Sequence, residues 1–158
     1  MNWLTVRMIL VLSIIHKWET RQVDFILTFP QADIECPMFM DLPKGIGLNG
    51  TNNKSHVLQL LKNLYCQKQA GQVWNQHLHA KLVSIGFAQS SYDDYLYFRG
   101  KTIFVVYVDD GIFTSPSIKD IDGAIYKLHN SNCDIDDQGN LNDYLGVNVK
   151  MTNDMESY

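Results

Sequence analysis

Two adjacent acidic residues stand between apolar runs in the second half of the chain. The sequence there reads Val105-Val106-Tyr107-Val108-Asp109-Asp110-Gly111-Ile112-Phe113. This pattern is typical of a β-hairpin that carries carboxylates at its tip. Adjacent carboxylates repel each other, and a bound divalent cation would neutralise that repulsion. A simpler interpretation is that Asp110 and Gly111 form a two-residue turn. It accounts for both of these residues but leaves Asp109 less well explained.

A third acidic residue lies in an alternating segment near the start of the chain. Apolar and polar side chains alternate over Arg21–Leu27, and Asp24 falls on the polar side. Phosphoryl transfer by two metal ions needs carboxylates from separate strands around ions that are roughly 3.5 to 4 Å apart. Such oxygen ligands suit Mg²⁺. Asp24, Asp109 and Asp110 therefore indicate a magnesium site, with an ordinary surface position for Asp24 as the alternative.

The elements that must position these acids follow from hydrophobic periodicity. An apolar run at Met8–Ile15 predicts a buried helix, and Lys44–Ser55 predicts a surface loop. Strands paired through hairpins, with amphipathic helices between them, imply an α+β fold. Further helices are predicted over Gln69–Ile85 and from Ser117 onward, and strands over Arg21–Leu27, Cys36–Leu42, Val57–Leu61, Tyr95–Phe98, Thr102–Val108, Gly111–Thr114, Cys133–Asp136 and Tyr144–Met151.

Length and composition predict a single domain over residues 1–158. At 158 residues and 46% hydrophobic, the chain can bury one core and is too short for two comfortable ones. Cys36, Cys66 and Cys133 include no C-x-x-C pair, which indicates a reducing, intracellular setting. Arg7 and the apolar run after it imitate a secretory signal, but no small-residue cleavage site follows. The run is also too short to span a membrane. We therefore expect an intracellular, cytoplasmic protein that is neither secreted nor membrane-bound.

The charge is low overall and unevenly distributed. A net charge of −4 and a pI near 5.6 are unlike the basic footprint of a free-standing nucleic-acid-binding domain. Residues 1–41 carry a net −2, residues 42–101 a net +5 and residues 109–158 a net −7. A positive segment beside an acidic one would suit a polyanion held near bound cations. Solvated surface charges are the alternative.

Six ordered blocks of sequence extend over nearly the whole chain. They are Gln22-Val23-Asp24-Phe25 with Phe29, Met40–Gly45, Leu60–Tyr65, Lys68–Gly71 with Trp74, Tyr107–Asp110, and Asp143–Gly146. In this order they resemble copia-type retrotransposon reverse transcriptases, which are RNA-directed DNA polymerases carried within polyproteins. A Tyr-Val-Asp-Asp match alone would be weak, whereas six blocks in order are specific.

The resemblance implies a site for two Mg²⁺ ions, for which Mn²⁺ can substitute. Asp24, Asp109 and Asp110 match the family's catalytic carboxylates, and the main-chain carbonyl of Phe25 matches an additional metal ligand. Tyr107 would support the pair that follows it. In the family's mechanism one ion lowers the pKa of the primer 3′-hydroxyl, and the other stabilises the departing pyrophosphate.

The resemblance also implies a nucleotide site, together with two departures from the family pattern. Phe29 matches the aromatic residue whose ring excludes a ribose 2′-hydroxyl, and Gln69 matches a residue that contacts the incoming nucleotide. Cys66 stands where the family usually has Gly, which strains the backbone if the position needs a positive φ. Gln72 stands where the family usually has Arg, so a bidentate phosphate donor is lost.

The implied fold is a polymerase palm, an antiparallel sheet with helices packed on one face, with fingers and thumb largely missing. The implied substrates are an RNA or DNA template with its primer and deoxynucleoside triphosphates. Fingers, RNase H and integrase segments would be further parts of the polyprotein. Because a palm without fingers and thumb would bind template and primer poorly, we expect weak or no polymerase activity from this chain alone.

Two other functions stay open at this point. The chain could be a non-catalytic transposon-derived remnant, or a nucleic-acid- or protein-binding module that keeps the fold. Separation of Asp24 from Asp109, or their placement on opposite faces of the sheet, would favour that alternative. A magnesium-dependent phosphodiesterase needs similar carboxylates and would cleave a duplex without incorporating nucleotides. Whether this chain is itself an enzyme is therefore not decided by its sequence.

Overall fold

The computed structural model describes residues 2–43 and 56–149. In chain order its elements are α1 (Trp3–His16), β1 (Glu19–Phe25), α2 (Thr28–Gln31), β2 (Asp33–Asp41), β3 (Val57–Lys62), α3 (Ala70–Ser84), β4 (Ala88–Gln89), β5 (Leu96–Arg99), β6 (Thr102–Tyr107), β7 (Asp110–Ser115), α4 (Ile118–Asn130), β8 (Ile135–Gly139), β9 (Asp143–Tyr144) and β10 (Val147–Asn148).

The chain divides into two compact units. One is drawn from Met1–Ile26 and Leu78–Tyr158, and the other from Leu27–His77. The loop predicted at Lys44–Ser55 and the end of the strand predicted at Tyr144–Met151 lie outside the described residues. The α+β fold class is confirmed, because helices accompany a sheet whose strands pair antiparallel. That residues 1–158 form one domain stays a prediction.

The larger unit is built on a six-stranded sheet with the order β4-β5-β6-β7-β1-β8. Three consecutive strands, β5 to β7, pair as neighbouring hairpins. Strand β1 comes from the start of the chain and inserts between β7 and β8. The first strand in sequence is therefore beside the β6–β7 hairpin in space, a placement that no local pattern specifies.

Helix α1 covers one face of this sheet. Its Val6 and Ile9 are buried in a cluster with Val105 and Ile112, and the hydroxyl of its Ser13 lies 2.7 Å from that of Thr114. Only this stripe of α1 is buried, so the prediction of a buried helix holds for this side of α1 and is wrong for its exposed side. The exposed side chains include Leu4, Val11 and Ile15.

Helix α4 lies on the opposite face. Phe104 and Phe113 stack there with ring centroids 4.0 Å apart. Arg99, which shares their face by alternation along the paired strands, lies 4.8 Å above the Phe87 ring and donates to the main-chain oxygen of Asp120 in α4. The expectation of helices on one face only is therefore wrong. The apolar stripe of α1 packs on the face of the sheet that carries Val105 and Ile112. Removal of these apolar side chains from water stabilises this packing.

The smaller unit contains the β2–β3 pair and the start of α3. Strands β2 and β3 pair antiparallel, with an irregularity between Asp33 and Met38. Asn63 is fully buried and its amide donates to the main-chain oxygens of Ala32 and Asp33, each at 3.1 Å. Lys62 forms an ion pair with Asp33. These polar contacts fix the end of the pair, where backbone groups would otherwise lack partners.

Two predicted strands differ from the observed ones at residues with positive φ. The strand predicted to reach Leu27 ends at Phe25 because Leu27 has a φ of 48° and precedes α2. The strand predicted from Tyr144 is instead a short hairpin, β9–β10, that reverses at Leu145 and Gly146 with φ of 51° and 76°. Among residues 2–43 and 56–149, no helix is long and apolar enough to cross a membrane.

Candidate active site

The pairing of β1 with β7 brings Asp24 opposite Asp110. Directly opposed residues of neighbouring antiparallel strands point to the same face and lie close together. Both side chains are half-buried, whereas Val23 and Phe25 on the other face of β1 are fully buried. The alternation read from the sequence therefore holds, and it places two of the predicted carboxylates side by side.

Asp109 lies in the turn between β6 and β7. Tyr107 and Asp110 are the last paired residues of this hairpin, so Val108 and Asp109 make the turn. Val108 has a φ of 57°, a left-handed conformation that is uncommon for a β-branched residue. The main-chain oxygen of Asp109 accepts a hydrogen bond of 2.8 Å from the Phe25 N–H, which ties the turn to the end of β1.

The interpretation of Asp110 and Gly111 as the turn is wrong. Both residues belong to β7, and Gly111 is paired with Val23 and with Val106. A Cβ at Gly111 would lie 2.6 Å from Phe104 Cε2 and 3.0 Å from Val23 Cγ2. Glycine is needed here because the neighbouring side chains leave no room for a methyl group. The Gly that follows Asp110 therefore reflects close packing of Gly111 against Phe104 and Val23, and not a turn.

The carboxylates perturb one another electrostatically. Burial, followed by the charges of Asp109 and Asp136, raises the pKa of Asp24. Burial, followed by the charges of Asp109 and Asp24, raises the pKa of Asp110. Each shift means that the ionised form is disfavoured in the folded chain. A nearby cation would remove this penalty, so the donors have the electrostatic character of a cation site.

The donor set fits a divalent cation in its chemistry. Asp24, Asp109 and Asp110 offer the hard oxygen ligands that Mg²⁺ prefers, and the charge of Asp109 contributes to the raised pKa of both Asp24 and Asp110. No group of three or more acidic, His or Cys side chains stands ready around a single point in the described part of the chain.

Two residues of this region were missed in the sequence. Asp136 stands opposite Asp24 on β8, and alternation after buried Ile135 could have placed it on the polar face. Tyr144 is buried, and its hydroxyl lies 3.4 Å from the main-chain oxygen of Asp110, to which it donates. Burial and the charge of Asp110 raise the pKa of Tyr144. Tyr144 belongs to the Asp143–Gly146 block, which supports the family resemblance. No local pattern in that block indicates the contact with Asp110.

The remaining predicted site residues divide between the units. Tyr107 is partly exposed, with its ring centroid 6.5 Å from that of Tyr95. Phe29 and Gln69 belong to the smaller unit. The Phe29 ring meets Tyr65 edge-on at 4.7 Å, and the Gln69 amide lies 2.6 Å from the Met38 sulfur. The structure thus brings Asp24, Asp109 and Asp110 together within one unit.

Comparison with known proteins decides the family. Residues 1–156 match the family described as reverse transcriptase (RNA-dependent DNA polymerase). The chain belongs to this family. The prediction made from the six ordered blocks is therefore confirmed, and RNA-directed DNA polymerase is the activity at the level of the family. The roles of individual site residues stay predictions.

Relatives of this reverse transcriptase domain are transposon proteins. The putative transposon Ty5-1 protein of Saccharomyces cerevisiae is 30% identical over 134 residues, which cover 80% of this chain and 42% of that protein. The retrovirus-related Pol polyprotein from transposon RE1 of Arabidopsis thaliana is 29% identical over 150 residues, which cover 92% of this chain and 10% of the polyprotein. The corresponding polyprotein from transposon TNT 1-94 of Nicotiana tabacum is 29% identical over 153 residues, 92% of this chain and 11% of its own length. No solved structure matches the chain.

Proposed function

We propose that this chain is the palm of a template-directed DNA polymerase whose reaction is RNA-directed DNA synthesis. The reaction joins a deoxynucleoside triphosphate to a primer 3′-hydroxyl and releases pyrophosphate. One observation carries the proposal: β1 and β7 present Asp24 and Asp110 as direct cross-strand neighbours, with Asp109 in the adjoining turn. Membership of the reverse transcriptase family supplies the reaction class.

In this proposal the chain's own residues hold and orient the reacting groups. Asp24, Asp109 and Asp110, with the carbonyl of Phe25, would hold two Mg²⁺ ions, or Mn²⁺ in their place. When bound, the ions would supply charge neutralisation at the primer 3′-hydroxyl and at the departing pyrophosphate. The Asp109–Phe25 main-chain hydrogen bond keeps the turn in place beside β1, which limits the reorganisation needed when substrate binds.

Phe29 and Gln69 are proposed to select and contact the nucleotide. The edge-on contact between Phe29 and Tyr65 restricts the Phe29 ring, and a restricted ring is what exclusion of a ribose 2′-hydroxyl requires. The Gln69 amide is partly buried against Met38. Both assignments rest on the family motif and on the contacts that hold these side chains, Phe29 against Tyr65 and Gln69 against Met38.

We propose low activity for the chain by itself. The net charge of −4 gives little attraction for a nucleic-acid backbone. The chain spans 42% of the yeast relative and 10% and 11% of the two plant polyproteins. Fingers, RNase H and integrase segments of a Pol polyprotein are the proposed partners, alongside template, primer and deoxynucleotides. Exposed, unpaired Cys36 and Cys66 favour a reducing intracellular setting for the reaction.

Metal-dependent stability and primer extension test the proposal together. Thermal unfolding would be followed with Mg²⁺ and with a chelator, for the parent chain and for Asp24→Asn, Asp109→Asn and Glu19→Gln. Glu19 is an exposed acid on the same strand as Asp24, so its variant controls for the change in net charge. We expect Mg²⁺ to stabilise the parent chain and Glu19→Gln, and to stabilise the two Asp variants much less, because ligand that binds only the folded state raises its stability.

Extension of a DNA primer on an RNA template, with the same variants, separates the functions. Trace Mg²⁺-dependent incorporation that Asp109→Asn abolishes would agree with the proposal. Robust incorporation would keep the palm assignment and contradict the expectation of low activity. Equal Mg²⁺ stabilisation of the parent and both Asp variants, together with no incorporation, would favour a non-catalytic remnant. Cleavage of a labelled duplex without incorporation would favour a phosphodiesterase.

A further inference from the structure

A groove of about 1190 Å³ opens in the larger unit, apart from the carboxylates. It lies between the first turns of α1 and the segment that leads into β5. Aromatic side chains line it, and three of them reach solvent: Tyr92 is 99% exposed, Trp3 44% and Phe98 39%. Exposed aromatic residues gathered at one concave surface are unusual for a side of the molecule that contacts only water.

The wall of the groove is fixed by Asp93. Its carboxylate accepts hydrogen bonds from the Thr5 hydroxyl at 2.7 Å, the Asn2 N–H at 3.2 Å and the Tyr95 N–H at 3.1 Å. These contacts join the start of α1 to the segment before β5. Burial alone would raise the pKa of Asp93, but the hydrogen bonds lower it below its ordinary value. The groove is therefore a built feature, and the hydrogen bonds in its wall favour the ionised form of Asp93.

The remaining charge in the groove has the same sign. Asp94 is exposed at the rim, and its main-chain oxygen is held by the Gln89 amide at 2.8 Å. None of the described residues that line the groove is Lys or Arg. Two carboxylates thus line the same groove as several aromatic rings, and none of the described lining residues is basic.

This combination selects for a cation. Ammonium and guanidinium groups are attracted to aromatic faces and to carboxylates. A nucleic-acid strand could stack bases on the same rings, but its phosphates would be repelled by Asp93 and Asp94. A purely apolar segment would cover the Asp94 carboxylate without giving it a partner, which is unfavourable.

We propose that this groove binds an Arg- or Lys-containing peptide segment of a partner protein. Basic side chains would lie over Tyr92 and Trp3, with their charged ends at Asp94. The groove is also connected to the hairpin that carries Asp109. Tyr95 lines the groove, its ring centroid is 6.5 Å from that of Tyr107, and its main-chain oxygen accepts from the Val106 N–H at 3.0 Å. A bound segment would therefore contact the neighbours of the β6–β7 hairpin.

Fluorescence anisotropy with defined probes tests the inference on the intact chain. The probes are a labelled peptide of alternating Arg and Gly, the same peptide with Glu in place of Arg, and a labelled oligothymidylate. We expect saturable binding of the Arg peptide only. Asp94→Asn should weaken it about fivefold and Tyr92→Ser about threefold, because each removes one contact to the cation. Both substitutions are at exposed positions and leave the core intact.

Glu19→Gln is the matched control, since it removes one exposed carboxylate of the same unit that does not line the groove. It should leave the affinity for the Arg peptide unchanged. Equal weakening by Glu19→Gln and Asp94→Asn would overturn the proposal, because it would show attraction by net charge alone. Absence of saturable Arg-peptide binding would overturn it as well, as would tighter binding of the oligothymidylate. None of these results depends on polymerase activity.

Discussion

Folding places Asp110 beside other carboxylates, and this environment raises its pKa. Burial and the charges of Asp109 and Asp24 raise that pKa above its ordinary value of 3.8. Below 3.8 the residue is protonated in the folded and the unfolded chain, so no penalty exists. As the pH rises through the raised folded-state value, the folded chain holds its proton longer than the unfolded chain does, and stability is lost. Without metal, the acids of the site therefore destabilise the fold near neutral pH.

Asp110→Asn should relieve this repulsion. We expect the variant to unfold about 2 °C higher than the parent chain at pH 7 in the presence of a chelator, and the difference to vanish toward pH 3. Thermal unfolding followed by circular dichroism at several pH values would measure it. An unchanged or lower midpoint at pH 7 would show that Asp110 already has a compensating partner in the metal-free chain.

Cys66 occupies a backbone conformation that suits glycine. Its φ is 69°, in the left-handed region, so the strain expected from the replacement of the family's Gly is present. In this conformation a non-glycine residue destabilises the folded state by about 1 to 2 kcal/mol. Glycine avoids this strain, but it loses more conformational entropy on folding, which offsets part of the gain. Cys66→Gly should therefore stabilise the chain by about 0.5 to 1 kcal/mol in urea unfolding.

Cys66→Ala separates backbone strain from the loss of the thiol. Alanine keeps the Cβ that causes the strain and removes only the exposed sulfur. We expect this variant to unfold at the same urea concentration as the parent chain. If alanine stabilised the chain as much as glycine does, the sulfur rather than the φ angle would be the source of the strain.

At the scale of elements, the candidate site depends on how closely β1, β6 and β7 approach one another. Gly111 sits where these strands meet, and its neighbour Phe104 is fully buried and stacked on Phe113. An added methyl group would push against the Phe104 ring, which is packed on Phe113 and cannot move away freely. Gly111→Ala should therefore cost about 1 to 3 kcal/mol of stability and shift the strand that begins with Asp110.

Gly123 offers a matched glycine in α4, because a Cβ there would meet nothing within 4 Å. Gly123→Ala should leave the protein as stable or make it more stable by up to about 1 kcal/mol, since alanine favours helix. Urea unfolding of both variants provides the comparison. Similar stability of Gly111→Ala and the parent chain would mean that the sheet can relax around the added group.

Local patterns predicted the elements better than their assembly. The periodicity of α3, the alternation of β1 and the apolar run of β6 are properties of neighbouring residues, so these elements were recovered to within a few residues. The pairing of Asp24 with Asp110 joins strands distant in sequence, and it was anticipated only through the hypothesis of a shared metal site and the family resemblance. The face that α1 covers could not be predicted for the same reason. The Asp-Gly pattern was misread because packing and turn formation both favour glycine.

At the scale of the whole molecule, charge and family membership must be reconciled. A reverse transcriptase acts on a polyanion, whereas this chain has a net charge of −4. Residues 42–101 carry a net +5 and residues 109–158 a net −7. In the proposed function, electrostatic attraction for a template-primer comes from residues 42–101, and the acidic segment opposes it unless bound cations reduce its charge.

The salt dependence of template-primer binding measures this balance. Residues 42–101 contain seven Lys and Arg side chains, so even full engagement gives a log–log slope no steeper than about −6. Exposed Lys68 lies in that segment, and exposed Lys119 lies in the acidic one. Lys68→Gln should make the slope shallower by about 1 through loss of a phosphate contact, whereas Lys119→Gln should not change it. Anisotropy of a labelled template-primer across NaCl concentrations would decide. A steeper parent slope, or an equal effect of the two substitutions, would show that nucleic acid also contacts the acidic segment.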